Sequence, residues 1–83
     1  IMDGARLNVE SKVGDFVILN TNSTVEHHCN IGHFSHICPG AVVCGNVEIG
    51  KTVFIGANST IINNICISSE RIVAAGDVIT KDL

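Results

Sequence analysis

The chain has 83 residues and a formal net charge of −3, and 46% of its residues are hydrophobic against 16% charged. These values argue against disorder and against a basic nucleic-acid-binding surface, and the length allows one domain at most. No apolar run is long enough for a membrane span or a signal-peptide core. With three Phe and neither Trp nor Tyr, the core has to consist of small aliphatic side chains.

From the first residue onward, an aliphatic side chain recurs at every sixth position. The fourteen members of this column are Ile1, Leu7, Val13, Leu19, Val25, Ile31, Ile37, Val43, Ile49, Ile55, Ile61, Ile67, Val73 and Ile79. A second column, four residues after each of these, holds mostly small or β-branched side chains from Ala5 to Ile65. A six-residue period matches neither the helical period of 3.6 nor the strand period of 2. It predicts a parallel β-helix, in which short strands stack on equivalent strands of neighbouring coils.

Glycine follows the aliphatic residue at four places in this repeat, Gly14, Gly32, Gly50 and Gly56. We interpret these glycines as tight bends beside the strands. Both ends of the chain fall inside the repeat, where they leave unpaired strand edges. We therefore expect further sequence on both sides and association with other copies of the chain.

All four histidines lie within the segment 26–36, in a chain that has few other polar functional groups. Counted within the repeat, Cys29 falls in the second inward column, and the outward positions hold His27, His28, His33 and His36. Because imidazole titrates near neutral pH, an outward histidine is a candidate general base. The alternative is a set of solvated surface histidines, which is the preferred interpretation for His33.

The four cysteines are Cys29, Cys38, Cys44 and Cys66. They have neither the C-x-x-C spacing of a zinc knuckle nor the regular framework of a secreted disulfide protein. We interpret them as reduced thiols and expect a cytoplasmic protein. Cys29 lies beside histidines, as a catalytic nucleophile would, but its inward position favours a core residue.

Several sequence blocks allow a comparison with known proteins. They are NTNSTVEHHCNIG at 20–32, FSH at 34–36, PGA at 39–41, GNVEIG at 45–50, FIGANS at 54–59 and AGDVITKD at 75–82. Together they resemble the bacterial sugar acetyltransferases with a left-handed β-helix, of the sialic acid O-acetyltransferase and UDP-4-amino-sugar N-acetyltransferase type. The block Glu-His-x-Cys, at its distance from Gly-Asn-Val-x-Ile-Gly, makes the resemblance more specific than the hexapeptide alone.

The resemblance implies an all-β fold, a left-handed parallel β-helix of about four and a half triangular coils with 18 residues in each. It implies a homotrimer with acetyl-CoA, the acyl donor, bound between neighbouring subunits. His27 matches the general base of this family. His36 and the Gly45 amide match contacts to the thioester, and Ala57 and Ala75 match backbone contacts to the rest of the coenzyme. The implied reaction is direct transfer of an acetyl group to a hydroxyl or amine of a sugar or nucleotide-sugar.

In coils of 18 residues, Gly45 stacks on His27, which places a base beside a backbone amide without a side chain. Acetyl transfer needs both groups, one for the proton of the acceptor and one for the oxyanion. The alternative for Gly45 is a simple turn glycine. The family often has an acidic residue after the catalytic histidine, where this chain has His28. The candidates that would orient His27 are therefore His28 itself and Glu26.

Two other functions remain open. One is a zinc-dependent trimer resembling the γ-class carbonic anhydrases, because four His and two Cys lie between positions 27 and 38. Its ligand pattern aligns poorly, and we assign no metal ligand. The other is a non-catalytic β-helix that serves only for trimerisation. We expect residues 1–83 to be the β-helix domain of a longer bacterial glycan-biosynthesis enzyme, whose N-terminal nucleotide-sugar-binding domain and C-terminal tail lie outside them.

Overall fold

The computed structural model describes residues 1–83 and contains thirteen two-residue strands, which recur every six residues. They are β1 (Arg6–Leu7), β2 (Lys12–Val13), β3 (Ile18–Leu19), β4 (Thr24–Val25), β5 (Asn30–Ile31), β6 (His36–Ile37), β7 (Val42–Val43), β8 (Glu48–Ile49), β9 (Phe54–Ile55), β10 (Thr60–Ile61), β11 (Cys66–Ile67), β12 (Ile72–Val73) and β13 (Val78–Ile79). A turn separates each strand from the next. The chain has no helix that could cross a membrane.

The strands form three parallel sheets, one on each side of a triangular coil. The first sheet consists of β1, β4, β7, β10 and β13, the second of β2, β5, β8 and β11, and the third of β3, β6, β9 and β12. Paired residues are eighteen positions apart, for example Leu7 with Val25 and His36 with Phe54. Three strands in each coil give about four coils. The predicted β-helix of hexapeptide repeats is confirmed, and its coil is consistent with the left-handed form that the resemblance implies.

Both predicted inward columns line the axis of the helix. From Leu19 to Val73, every member of the aliphatic column is at most 4% exposed. In the second column, all residues from Ser23 to Ile65 are buried. Ser35 shows how a hydroxyl is accommodated there, since its Oγ donates to Gly50 O at 2.9 Å and accepts from Val53 N–H at 3.0 Å. These bonds offset the cost of removing the hydroxyl from water.

The turns share one backbone conformation. The fourth residue of each hexapeptide has a positive φ: Gly4, Glu10, Phe16, Asn22, His28, Phe34, Gly40, Asn46, Thr52, Asn58, Asn64, Glu70 and Gly76. For residues other than Gly and Asn, this left-handed backbone conformation costs free energy. Stacking of equivalent turns therefore has to hold residues such as Phe16 and His28 in place.

The interpretation of Gly14, Gly32, Gly50 and Gly56 as tight bends is wrong, because none of them has a positive φ. These glycines are needed where one coil packs on the next. A Cβ on Gly32 would lie 2.5 Å from the carbonyl carbon and oxygen of Gly50, and one on Gly56 would lie 2.5 Å from Ala75 N. The adjacent backbone leaves no room for a side chain.

The outward faces of the three sheets differ in polarity. The second sheet presents Lys12, Asn30, Glu48 and Cys66, whereas the third presents Ile18, His36, Phe54 and Ile72. On the third sheet, Ile18, Phe54 and Ile72 are 40%, 44% and 77% exposed. The third sheet is therefore the more apolar of these two faces.

Candidate functional site

His27 lies on the turn between β4 and β5, at the corner where the first sheet passes to the second. Backbone hydrogen bonds stack this turn between two equivalent turns. His28 N–H donates to Val9 O at 3.1 Å on one side, and Asn46 N–H donates to His27 O at 2.9 Å on the other. The side chains of His27 and His28 are exposed at this corner, as predicted.

The ring of His27 lies directly against the backbone of Gly45. A Cβ on Gly45 would lie 2.6 Å from both Cε1 and Nε2 of the ring, so the imidazole occupies space that only glycine leaves free. The N–H groups of Cys44 and Asn46 donate to carbonyls of neighbouring coils, but the N–H of Gly45 has no acceptor within the chain. The structure thus brings together the predicted base and an amide that is free to donate.

The rings of His27 and His28 contact each other. Their Nδ1 atoms are 3.1 Å apart, and the ring planes are nearly perpendicular, at 82°. The other nitrogen of His28, Nε2, lies 3.4 Å from Oε2 of Glu10. Nε2 of His27 has no hydrogen-bond partner in the chain, which leaves it open to a ligand.

Of the two candidates for orienting His27, the structure places His28 in contact with it. The carboxylate of Glu26 instead accepts a hydrogen bond from Asn8 Nδ2 at 2.9 Å. Glu10 also contacts His28, but it is not one of the site residues that were predicted from the sequence. The sequence does carry a signal for it, because Glu10 precedes His28 by eighteen residues and so occupies the same corner one coil earlier.

His36 lies on β6, in the third sheet, across the core from the corner that holds His27. Asn20 Oδ1 accepts from Thr21 N–H, so the Asn20 Nδ2 group is the donor towards His36 Nε2 at 3.1 Å. In the neutral ring, the proton of His36 is then on Nδ1, which can donate to a ligand. The edge of the ring packs against Phe54, with the centroids 5.4 Å apart.

Ala57 and Ala75 stack on each other at a different corner, between the third and first sheets. Their N–H groups have no acceptor within the chain, like that of Gly45. The predicted residues therefore form two groups. One lies around His27, and the other consists of His36 and these two alanines. Because the core separates the two groups, a single chain cannot bring both to the same reacting atoms.

His33 and Cys29, for which the sequence left two roles open, both form hydrogen bonds within the chain. Asp15 N–H donates to His33 Nδ1 at 2.7 Å. Cys29 is fully buried, its thiol donates to Cys44 O at 3.0 Å, and burial raises the pKa of the thiol. A protonated, buried thiol is a poor nucleophile. The chain has no group of three His, Cys, Asp or Glu side chains that could hold a metal ion, so the zinc alternative has no ligand set within one chain.

Residues 28–63 match the protein family described as bacterial transferase hexapeptide, six repeats. Among curated relatives, the bifunctional protein GlmU of Wolbachia sp. subsp. Brugia malayi is 34% identical over 87 residues. GlmU of Acinetobacter baumannii (strain AYE) is 33% identical over 98 residues. These alignments cover 90% and 96% of this chain and 21% of each relative, so the chain spans about one fifth of their length.

Among solved structures, PerB from Caulobacter crescentus, in complex with CoA and GDP-perosamine, matches with a TM-score of 0.99 at 35% identity. The acetyltransferase domain of PglB from Neisseria gonorrhoeae matches with a TM-score of 0.98 at 36% identity. The matches cover 100% and 99% of this chain and 40% of each solved chain. Two structures of the Caulobacter enzyme with one histidine replaced also hold CoA and GDP-perosamine. The chain therefore carries the hexapeptide repeat of bacterial transferases, and its resemblance to the β-helix sugar acetyltransferases is confirmed.

Proposed function

We propose that this chain is the acyl-transfer domain of an acetyl-CoA-dependent sugar acetyltransferase, which acts on a hydroxyl or amine of a sugar or nucleotide-sugar. The observation that carries the proposal is the contact between the His27 ring and Gly45, whose N–H is unpaired. The CoA and GDP-perosamine bound to the Caulobacter neighbour support this choice of substrates. The free cysteines and an acetyl-CoA donor are typical of the cytoplasm, where we expect the protein to act.

In this proposal, His27 is the general base. Its Nε2 accepts the proton of the acceptor hydroxyl or amine as that group attacks the thioester carbonyl carbon. The Gly45 N–H donates to the carbonyl oxygen as negative charge develops there. When the C–S bond breaks, His27 returns the proton to the departing thiolate, so both residues end in their starting state. Transfer is direct, since the buried thiol of Cys29 has no access to the thioester.

We further propose that the reaction takes place between copies of the chain in a homotrimer. His36, Ala57 and Ala75 can reach the ligand at His27 only if they come from a neighbouring copy. The exposed apolar side chains of the third sheet, which flank His36, favour this face for the contact. His36 Nδ1 and the free alanine amides would then bind the acyl donor held beside His27 of the neighbouring copy.

The first prediction concerns His27→Ala in the full-length protein, assayed with labelled acetyl-CoA against amino-sugar nucleotides and sialic acids. We expect turnover to fall by about 100-fold or more, because the acceptor proton loses its base. The fold should be retained, since the ring is exposed and lies outside the core. Circular dichroism and sedimentation would verify the fold and the assembly.

The matched control is His33→Ala, which removes a histidine that bonds a backbone N–H instead of facing Gly45. We expect this variant to keep turnover close to that of the unmodified protein. Full activity of His27→Ala would remove His27 from the mechanism. A full-length protein that neither binds acetyl-CoA in calorimetry nor transfers acetyl groups would favour the non-catalytic alternative.

A further inference from the structure

Glu10, His28 and His27 form a line of polar contacts at one corner of the β-helix. Glu10 and His28 occupy equivalent turns in adjacent coils, and their φ angles, 57° and 58°, are nearly the same. Their side chains therefore leave the backbone in the same direction and stack. The line runs from Glu10 Oε2 to His28 Nε2 over 3.4 Å, and from His28 Nδ1 to His27 Nδ1 over 3.1 Å.

The carboxylate at one end of this line favours one placement of the ring protons over the other. The Glu10 carboxylate lies at ion-pair distance from His28 Nε2, and its negative charge favours a proton on that nitrogen over one on Nδ1. In a neutral His28, Nδ1 is then unprotonated and accepts from His27 Nδ1–H. His27 is left with an unprotonated Nε2, which is the nitrogen against Gly45. This is the tautomer that can act as a base.

Without the carboxylate, the opposite arrangement is also available. His28 Nδ1–H would donate to His27 Nδ1, and His27 Nε2 would hold the proton and lose its capacity as a base. No other acidic side chain forms an ion pair with either ring. Glu26, the nearest acid in sequence, is hydrogen-bonded to Asn8, and the next residue of this stack, Asn46, donates to Asn64 at 2.8 Å.

We propose that Glu10 is a positioning residue that acts on His27 through His28 and holds His27 in the tautomer with a free Nε2. Its importance for turnover rests on the proposed function, whereas the tautomer can be measured without any reaction. When His27 takes up the acceptor proton, the His27–His28 pair gains a positive charge, and the Glu10 carboxylate stabilises it at the far end of the line. Glu10 thus has the role for which the family often uses an acid next to the histidine.

The first experiment measures the ¹⁵N chemical shifts of the imidazole nitrogens in the full-length protein near neutral pH. We expect His27 Nε2 to be unprotonated in the unmodified protein and the two tautomers of His27 to be mixed in Glu10→Gln. Glu70→Gln is the matched control, because Glu70 also has a positive φ, at 65°, but lies at another corner. An unchanged His27 tautomer in Glu10→Gln would overturn the proposal.

The second experiment measures kinetics. For Glu10→Gln we expect kcat to fall by about 10-fold or more with KM for acetyl-CoA unchanged, because the base is affected and binding is not. Glu70→Gln should keep the original kcat, and Glu10→Asp should restore part of the loss. In a His28→Glu background, which puts an acid directly beside His27, Glu10→Gln should have little further effect.

The outcomes separate this proposal from the proposed function. If the full-length protein transfers no acetyl group, the proposed function fails, and the ¹⁵N measurement still decides whether Glu10 controls the tautomer. If transfer occurs but Glu10→Gln keeps full kcat, Glu10 has no role in positioning. A loss of kcat equal in Glu10→Gln and Glu70→Gln would also overturn the proposal, since it would indicate a general effect of lost surface charge.

Discussion

At the scale of single residues, His27 owes its position to three different neighbours. The turn that contains Asn46 holds the backbone of His27, Gly45 provides space and an unpaired N–H, and His28 contacts Nδ1 of the ring. Only Nε2 remains without a partner. As the proposed base, His27 therefore needs little reorganisation before it accepts a proton.

Two buried thiols and one partly buried thiol lead to a prediction about pH. Burial raises the pKa of Cys29, Cys38 and Cys44 above the ordinary value of 9.0. The folded chain therefore keeps these protons at pH values where the unfolded chain has lost them. The contribution to the free energy of unfolding is complete below pH 9.0 and decreases as the pH rises above it.

Urea unfolding at neutral pH and at pH about 10 would measure this decrease. We expect a smaller decrease in Cys29→Ala, which removes one of the three thiols with a raised pKa. The comparison between the two proteins is decisive, because other groups that titrate at high pH are common to both. An identical decrease in the variant would contradict a raised pKa at Cys29.

At the scale of the elements, two-residue strands are too short to be stable alone, so each depends on the strands stacked above and below it. The inward side chains of one coil pack on those of the next, which joins the coils into one hydrophobic column. The positive φ of each turn costs free energy, and this packing has to offset it. The elements therefore fold as a stack and not one by one.

A substitution in the column tests this dependence. Ile55 is fully buried, and we expect Ile55→Ala to lower the free energy of unfolding by about 2–5 kcal/mol, because the neighbouring coils cannot close the cavity. Val9→Ala is the control, since Val9 is 67% exposed, and its effect should stay within about 0.5 kcal/mol. Denaturant titration measures both. Equal losses would mean that the inward column does not carry the stability.

The inward columns could be predicted from the sequence because burial selects aliphatic side chains at a fixed period. The conformation of the turns could not, since Glu10, Phe16 and His28 are not residues that ordinarily indicate a positive φ. Gly45 lies eighteen residues, or one coil length, after His27, so their contact could be predicted from the sequence. Glu10 lies eighteen residues before His28, so the sequence also predicts that they stack. Whether their side chains reach each other depends on their rotamers, which the sequence pattern does not contain.

At the scale of the whole molecule, the predicted site residues lie on opposite sides of the core, so the proposed reaction depends on assembly. The third sheet supports this view because Ile18, Phe54 and Ile72 expose apolar surface around His36. The second sheet is more polar and presents Lys12 and Glu48 at equivalent positions. An interface core with few charges is typical of a lasting contact between subunits.

Ile72→Asp tests the assembly without changing a site residue. A buried, unpaired carboxylate is unfavourable in an apolar contact, so we expect the variant to shift from trimer towards monomer in sedimentation equilibrium. Lys12→Asp places the same side chain on the second sheet and should leave the trimer intact. A trimer that is equally stable in both variants would show that the third sheet is not the interface. A monomeric unmodified protein would contradict the proposed assembly itself.

Because each coil repeats one backbone path, a surface group moved by eighteen residues keeps its direction and shifts only along the axis, by about 4.8 Å. An acidic residue that is lost next to a basic residue can thus be replaced by an acidic residue in the adjacent coil, while the core stays the same. During evolution of such a fold, an interacting side chain can therefore move from one coil to the adjacent coil. An alignment read letter by letter records that exchange as two unrelated changes.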